Sequence, residues 1–362
     1  MMAHEQGFVL PSLALATALL SLSIIVAADS GDGRNGALRD LRERLALEIA
    51  ATTAEARLAH LLLTEPLDQR GLRVGGDRLG PSGVLTPMER GMRAAAGRIV
   101  HPLLFDGRAY HIDAGPMLQV EVQDEAGLVN LNSGDEGAVS RLLTRFGVAE
   151  TKARHMAAAL ADYTDGDDLR RLNGVERMGY RRAGLPIPQD APLEERSGVE
   201  AVAGWRDALS SIQGSRLQNR VAALPPMQRF NLNSAPSDAL QATLGLDARD
   251  AGLILAAREK VAMQSLADVA RLTGLSLAGG IAPIGGLPAR QIRFRARIDR
   301  GGKTDPYHYE ARLTFAEEGR DRPLIVEVAP LRRGPAEYAE RSQHGVGSPF
   351  PISPALLAAR KW

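Results

Sequence analysis

The residues best equipped for chemistry lie in one stretch, ADYTDGDDLRRLNGVE, which gathers Asp162, Asp165, Asp167, Asp168 and Glu176. Hard cations such as calcium take about six to eight oxygens at ~2.3–2.6 Å, and carboxylates at alternate loop positions followed by a later Glu can supply them. The stretch is not an EF-hand, because the Gly and the terminal Glu needed at fixed offsets are missing. Arg170 and Arg171 offer a second reading, in which the same carboxylates cap helices and pair with guanidinium groups. Asn173 could add a side-chain oxygen to the first. Elsewhere the sequence is poor in catalytic groupings. His60, His101, His111, His155 and His308 each lack a spaced partner of metal-ligand type. HExxH, GxSxG and Walker patterns do not occur. With no Cys, thiol nucleophiles, zinc–thiolate sites and iron–sulfur clusters are excluded. The glycines of RVGGDRLG neither follow a clear strand nor open a helix, which argues against a dinucleotide site. The expectation is a protein that is not an enzyme.

The elements that must position the acidic stretch are legible in the periodicity. At roughly 150 residues per domain, 362 residues predict about two folded units. Basic and acidic residues number 44 and 43, so no net field draws nucleic acid, and aromatics at 4% argue against a stacking platform for bases. Residues 8–28 carry no charge, and at about 1.5 Å per residue they match a hydrocarbon core of about 30 Å. After a hydrophilic break over 29–36, Leu38, Leu41, Leu45, Ile49, Thr52, Ala56, Ala59 and Leu63 fall at helical steps up to Pro66. Gly31, Gly33 and Gly36 each weaken a helix by ~1 kcal/mol relative to Ala, enough to kink or melt that junction. From Pro66 to Arg93 the composition is that of a loop.

Residues 98–105, 109–112 and 117–123 read as strands of an antiparallel meander, separated by DGR and DAGP turns. Ile292, Phe294, Ala296 and Ile298 alternate with charged residues, Tyr309, Ala311, Leu313 and Phe315 alternate likewise, and 324–328 makes a third run. Between the two β regions, 130–287 follows a helical period. The fold class expected is therefore α+β, with a large helical domain inserted into a sheet domain made of 66–129 and 288–330. The tail, 331–362, is rich in Arg, Pro and Gly and reads as disordered.

The insert holds an internal echo. Asn130-Leu131-Asn132-Ser133 returns as Asn231-Leu232-Asn233-Ser234, each before a helix ending in Gly and a hydrophobe, with a second helix at 150–163 or 248–261. Two readings stand: a helix N-cap box used twice, or a duplicated helix–hairpin–helix-like unit. The second opens an alternative function, a membrane-anchored nucleic-acid-binding protein. There the Gly245-Leu246 turn would meet phosphate with help from Arg258 and Lys260, although Asp247, Asp250 and Glu259 offset them.

Several motifs converge on one resemblance. A hydrophilic leader ending in Gly7, followed by Phe8 and the uncharged run, looks like a type IV prepilin-type N-terminus. The body resembles the type II secretion minor pseudopilin K family in DEAGLVNLNS (124–133), ADYTDGDDLRRLNGVE (161–176) with Tyr180 beyond, FNLNSAPSDAL (230–240) and SLADVARLTGL (265–275). Together these cover the chain from residue 8 to about 330. The leader here lacks basic residues, and Asp162-Tyr163 stands where the family carries Asp-Trp. Ser12 stands where most pseudopilins have Glu, a departure typical of the K subunit.

The resemblance implies that 1–7 is a prepilin leader, removed by a prepilin peptidase that then methylates Phe8. It implies that 8–65 forms a transmembrane helix and stalk, 66–129 with 288–330 a pseudopilin sheet, and 130–287 the inserted helical domain. It also implies calcium as a structural cofactor held by Asp162, Asp165, Asp167, Asp168 and Glu176. The protein would be single-pass in a bacterial inner membrane, N-terminus cytoplasmic and body periplasmic. Its partners would be minor pseudopilins I and J and other pseudopilins, with a secreted substrate or the outer-membrane channel as further contacts and no nucleic acid. Small residues such as Ala14, Ala16, Ala18 and Ser21 would let helices pack within the bilayer.

Overall fold

The computed structural model describes residues 9–74, 101–210, 216–277, 283–300, 307–315, 324–333 and 348–350, with side chains described from Ala37 onward except those of His101, Arg332, Arg333 and Ser348. Helix α1 (Val9–Thr64) runs unbroken through 29–36, so the glycine-bearing junction does not melt it into separate helices. Three glycine penalties of ~1 kcal/mol are small beside the packing that anchors the second half of α1. Among the described residues no helix is long and apolar enough to cross a membrane. The expected span over 8–28 lies outside the residues whose side chains are described, as do Gly7 and Phe8.

Beyond α1 come β1 (Gly71–Val74), β2 (His101–Leu104), β3 (Asp106–Asp113) and β4 (Met117–Asp124). The insert follows, with β5 (Val129–Asn130), α2 (Glu136–Arg145), α3 (Glu150–Thr164), α4 (Arg177–Ala183), α5 (Trp205–Leu209), β6 (Val221–Ala222) and β7 (Phe230–Asn231). It continues through α6 (Ser237–Leu244), α7 (Ala248–Lys260), α8 (Leu266–Thr273) and β8 (Ile284–Gly285). The chain then returns to the sheet as β9 (Gln291–Ile298), β10 (Tyr307–Phe315), β11 (Leu324–Val328), β12 (Arg332–Arg333) and β13 (Ser348–Pro349). The architecture is α+β.

The main sheet has the order β11-β10-β9-β4-β3-β13, with β12 also on β10. It is antiparallel except for β13, which runs parallel to β3. Strand β4 pairs with β9 across the insertion, Val120 opposite Ala296 and Val122 opposite Phe294, so the insert leaves and re-enters on adjacent strands. Alternation decides which face is buried. Ile292, Phe294 and Ala296 of β9 and Tyr309, Ala311 and Leu313 of β10 pack on Leu47, Ala50, Ala51, Ala54, Leu58, Leu61 and Leu62 of α1. Each fully buried Leu there contributes ~1.5–3 kcal/mol.

Helix α1 also has a second apolar face. Leu38, Leu41, Leu45, Ile49 and Leu63 are 52%, 60%, 53%, 60% and 53% exposed, on the side away from the sheet.

Two expectations need correction. Gly71–Val74, within the segment of loop composition, is a strand antiparallel to β2. A Cβ on Gly71 would lie 2.0 Å from the Leu103 carbonyl oxygen, so glycine marks the close approach of two backbones, not a turn. The tail is not wholly without structure either. Arg332–Arg333 pair with β10, and Ser348–Pro349 seat Phe350 edge-on against Tyr110 with ring centroids 6.1 Å apart. Two-residue pairings and one buried ring leave no periodicity to read.

The insert has its own core, in which α2, α3 and α6 through Leu142, Leu143, Met156, Leu160, Leu240 and Leu244 surround Trp205 and Tyr180. The Trp205 indole donates to the Met156 carbonyl at 3.0 Å, and the Tyr180 hydroxyl accepts from the Ala203 amide at 3.0 Å.

Candidate functional site

The NLNS motifs are not N-cap boxes. Asp135 caps α2 by accepting from the Ala138 amide at 2.8 Å, and the residue before α6 is Pro236, which has no side-chain cap. The second Asn of each motif instead grips a remote backbone through both amide atoms. Asn132 accepts from the Leu193 amide at 2.8 Å and donates to the Leu193 and Leu224 carbonyls. Asn233 accepts from the Met263 amide at 2.7 Å and donates to the Met263 carbonyl at 2.8 Å. Each motif also adjoins a two-residue parallel pairing, β5 with β6 and β7 with β8.

The second motif fastens the insert to the sheet. Asp124, fully buried at the end of β4, accepts from Asn231 Nδ2 at 2.8 Å, Ser234 Oγ at 2.6 Å and the Ala126 and Ala289 amides. Burial nevertheless raises its pKa. Beside it Arg293 of β9 meets Glu125 at 2.7 Å, and Arg196 of the insert pairs with Glu310 of β10. Burial, with Arg196 nearby, pulls Arg293 down to about 10. Burial works against the ionised form of Glu310 too, but Arg196 and Arg293 overcome it and hold that carboxyl at about 2.

On the other side of the insert, the end of α3 and the loop into α4 carry the acidic stretch. Asp162 has no exposed surface. It accepts from the Arg171 amide at 3.2 Å and from the Arg171 guanidinium at 3.0 Å. Gly174 packs onto it so closely that a Cβ there would lie 1.9 Å from Asp162 Oδ2. Asp165 pairs with the same guanidinium, which also reaches Glu136 at 3.3 Å. The Asp165 hydrogen bond is the main reason that the Arg171 pKa is raised. Asp167 is exposed and accepts from the Leu169 amide at 2.8 Å, an Asx turn. Asn173 is exposed and adopts a left-handed φ of 71°.

Asp168 and Glu176 come together with a residue that the sequence did not single out, Asp190, their carboxylate oxygens lying within 4.8 Å of one another. Glu176 is 8% exposed, yet neither of its oxygens has a hydrogen-bond partner, and one oxygen of Asp190 is likewise buried without one. Burial, then repulsion from Asp162 and Asp165, pushes the Glu176 carboxyl up to about 7. Arg177 pairs with Asp190 and lies 3.6 Å from Asp168. Converging carboxylates with unused buried lone pairs suit a hard divalent cation. The five residues expected to act together thus divide: Asp168 and Glu176 meet Asp190, Asp162 and Asp165 share Arg171, and Asp167 belongs to neither group. Asp190 stands beyond α4 in a Pro-rich segment, where spacing from the DGDD run carries no signal.

The helix–hairpin–helix alternative loses one of its two cations. Arg258 is buried, donating to the Leu232 and Ala235 carbonyls and lying 3.4 Å from Asp106, so its guanidinium is not presented to a phosphate.

The family model of type II secretion system protein K matches residues 121–226, from β4 through the acidic loop to the segment after β6. Among solved structures, the chain is similar to one from the crystal structure of the GspK-GspI-GspJ complex of the enterotoxigenic Escherichia coli type 2 secretion system. The two are 14% identical, with a TM-score of 0.48, covering 83% of this chain and 99% of that one. No curated protein matches. Residues 121–226, which carry the acidic loop and the first NLNS latch, are thus the part of the chain that resembles the type II secretion system protein K family.

Proposed function

We propose that the chain acts as the minor pseudopilin K of a type II secretion system. In this reading the prepilin peptidase cuts after Gly7 and methylates Phe8, and the span over 8–28 holds the protein in the inner membrane with its body in the periplasm. It then joins minor pseudopilins I and J in a tip complex that primes pseudopilus assembly, where the insert faces secreted substrate or the outer-membrane channel. The protein performs no catalysis of its own, and calcium steadies the acidic loop.

The observation that supports this best is the double amphipathicity of α1. One face is spent on the sheet, while Leu38, Leu41, Leu45 and Ile49 form a second stripe exposed by half or more, outside the core formed by the described residues. A helix with two apolar faces is built to pack between its own domain and other helices. A nucleic-acid role is disfavoured by the sequestered Arg258.

Intact-mass and N-terminal analysis of the membrane-extracted protein, with and without a co-expressed prepilin peptidase, tests the pathway. Peptidase-dependent loss of residues 1–7 with a methylated Phe8 is the expected result. An intact Met1, or a cut near Ala27 or Ala28, would refute it.

A further inference from the structure

Strand β11 closes the main sheet on the side of β10, and among the described residues no strand lies beyond it. The register shows where its backbone groups point. The Ala329 amide donates to the Glu310 carbonyl at 3.0 Å, and antiparallel pairs alternate between bonded and non-bonded, so Ile325 and Glu327 spend their N–H and C=O groups on Thr314 and Arg312. On the other side of β10 the Phe315 amide donates to the Arg290 carbonyl at 3.0 Å, which fixes the same alternation. Leu324, Val326 and Val328 therefore aim their donors and acceptors away from the sheet.

Edge strands are usually guarded by Lys, Pro, a bulge or a covering element. The run LIVEV carries none of the first three. Its register against β10 is unbroken, and its one charge, Glu327, accepts from Arg312 at 2.7 Å. Ile325 on one face and Val326 and Val328 on the other are between 37% and 53% exposed. A continuous apolar run fits a strand buried on both faces, yet here it stands at an edge. The opposite edge is protected: β3 is bulged between Asp106 and Ala109 and covered by β13, whose Pro349 has no N–H to offer.

We propose that β11 receives a strand: an extended segment of a partner protein pairs with Leu324, Val326 and Val328 and prolongs the sheet. The chemistry of the occupant follows from the edge. Its main chain supplies the ladder bonds, and its side chains opposite Val326 and Val328 are apolar, because that face continues the row of Ala311 and Leu313 packed on α1. Since Glu327 is already neutralised by Arg312, the complementary strand needs no charge at its centre. A second copy of this chain is the poorer occupant. Two-fold antiparallel pairing of β11 with itself turns the second molecule half a revolution in the plane of the sheet and reverses its α1, which two chains anchored in one membrane as proposed above cannot do.

The test is calorimetric titration of the detergent-solubilised full chain with a synthetic strand, acetyl-Lys-Thr-Val-Thr-Val-Thr-Lys-amide, and with the same peptide N-methylated at both Val. The wild-type chain is expected to take up one unmodified peptide. The methylated peptide loses the N–H groups on the edge that sets Val beside Val326, and should bind about tenfold more weakly or worse. Val326→Pro removes an outward N–H that β10 does not use, so it should weaken uptake of the unmodified peptide by a similar factor while melting like the wild type. If that variant proves unstable, the methylated peptide still tests the pairing on the unaltered chain. Equal uptake of both peptides, or none of the unmodified one, would overturn the proposal. A wild-type chain that sediments as a dimer, beside a Val326→Pro chain that does not, would give the edge to a second copy and overturn the partner strand.

Discussion

If the outer stripe of α1 is an assembly surface, replacing Leu41, Leu45 and Ile49 together by Gln should break assembly and spare the fold. These three side chains are 60%, 53% and 60% exposed in the isolated chain, so each still has more than half of its burial to gain. At ~1.5–3 kcal/mol for burying a whole Leu or Ile, the unrealised part comes to ~3–5 kcal/mol for the triple variant, or roughly 10² to 10⁴ in an association constant. The fold should lose little, because exposed substitutions away from the core change stability by about 0.5 kcal/mol or less each. The assay is recovery of minor pseudopilins I and J with the tagged chain from detergent-solubilised membranes, alongside its melting temperature. Undiminished recovery by a triple variant that melts like the wild type would refute the assignment of this face. A large drop in melting temperature would instead place the stripe against something within the chain.

Three further outcomes follow from particular contacts. Gly174→Ala puts a Cβ 1.9 Å from a buried oxygen of Asp162, and the forced shift should cost ~1–3 kcal/mol, read as a lowered melting temperature. Glu310, held at about 2 against an ordinary 4.5, contributes stability that is fully present above pH 4.5 and is lost as pH falls toward 2. That contribution is at most ~3 kcal/mol, and Glu310→Gln should flatten this part of the acid denaturation profile. Phe350→Ala removes a ring that is 5% exposed against Tyr110, and should speed proteolysis of the C-terminal segment while lowering stability by ~2–4 kcal/mol.

Much of the fold is local and therefore legible. Alternation in 292–298 and 309–315 gave the right strands and the right buried face, because the pleat has a period of two whatever the rest of the chain does. The helices at 150–163 and 248–261 were placed within a residue of α3 and α7 by their own periodicity. The NLNS motifs are visible in the sequence, but of the two readings the capping box fails, since an Asn before a helix looks alike whether it serves the helix or a distant backbone. What distinguishes them is Leu193 or Met263, remote residues that only the folded chain brings near.

The acidic loop shows the same boundary most clearly. Sequence alone determined that several carboxylates must crowd between α3 and α4 and that Arg171 was at hand to meet some of them. Only the tertiary structure decided which: Asp162 is buried by the packing of Gly174 upon it, Arg171 is committed between Asp162 and Asp165, and Asp190 is carried in from beyond α4 to Asp168 and Glu176. Charge is a property of each residue, but the partner of a buried charge is chosen by the path of the backbone through space, because every such group must find its counter-charge or donor among whatever the fold places beside it.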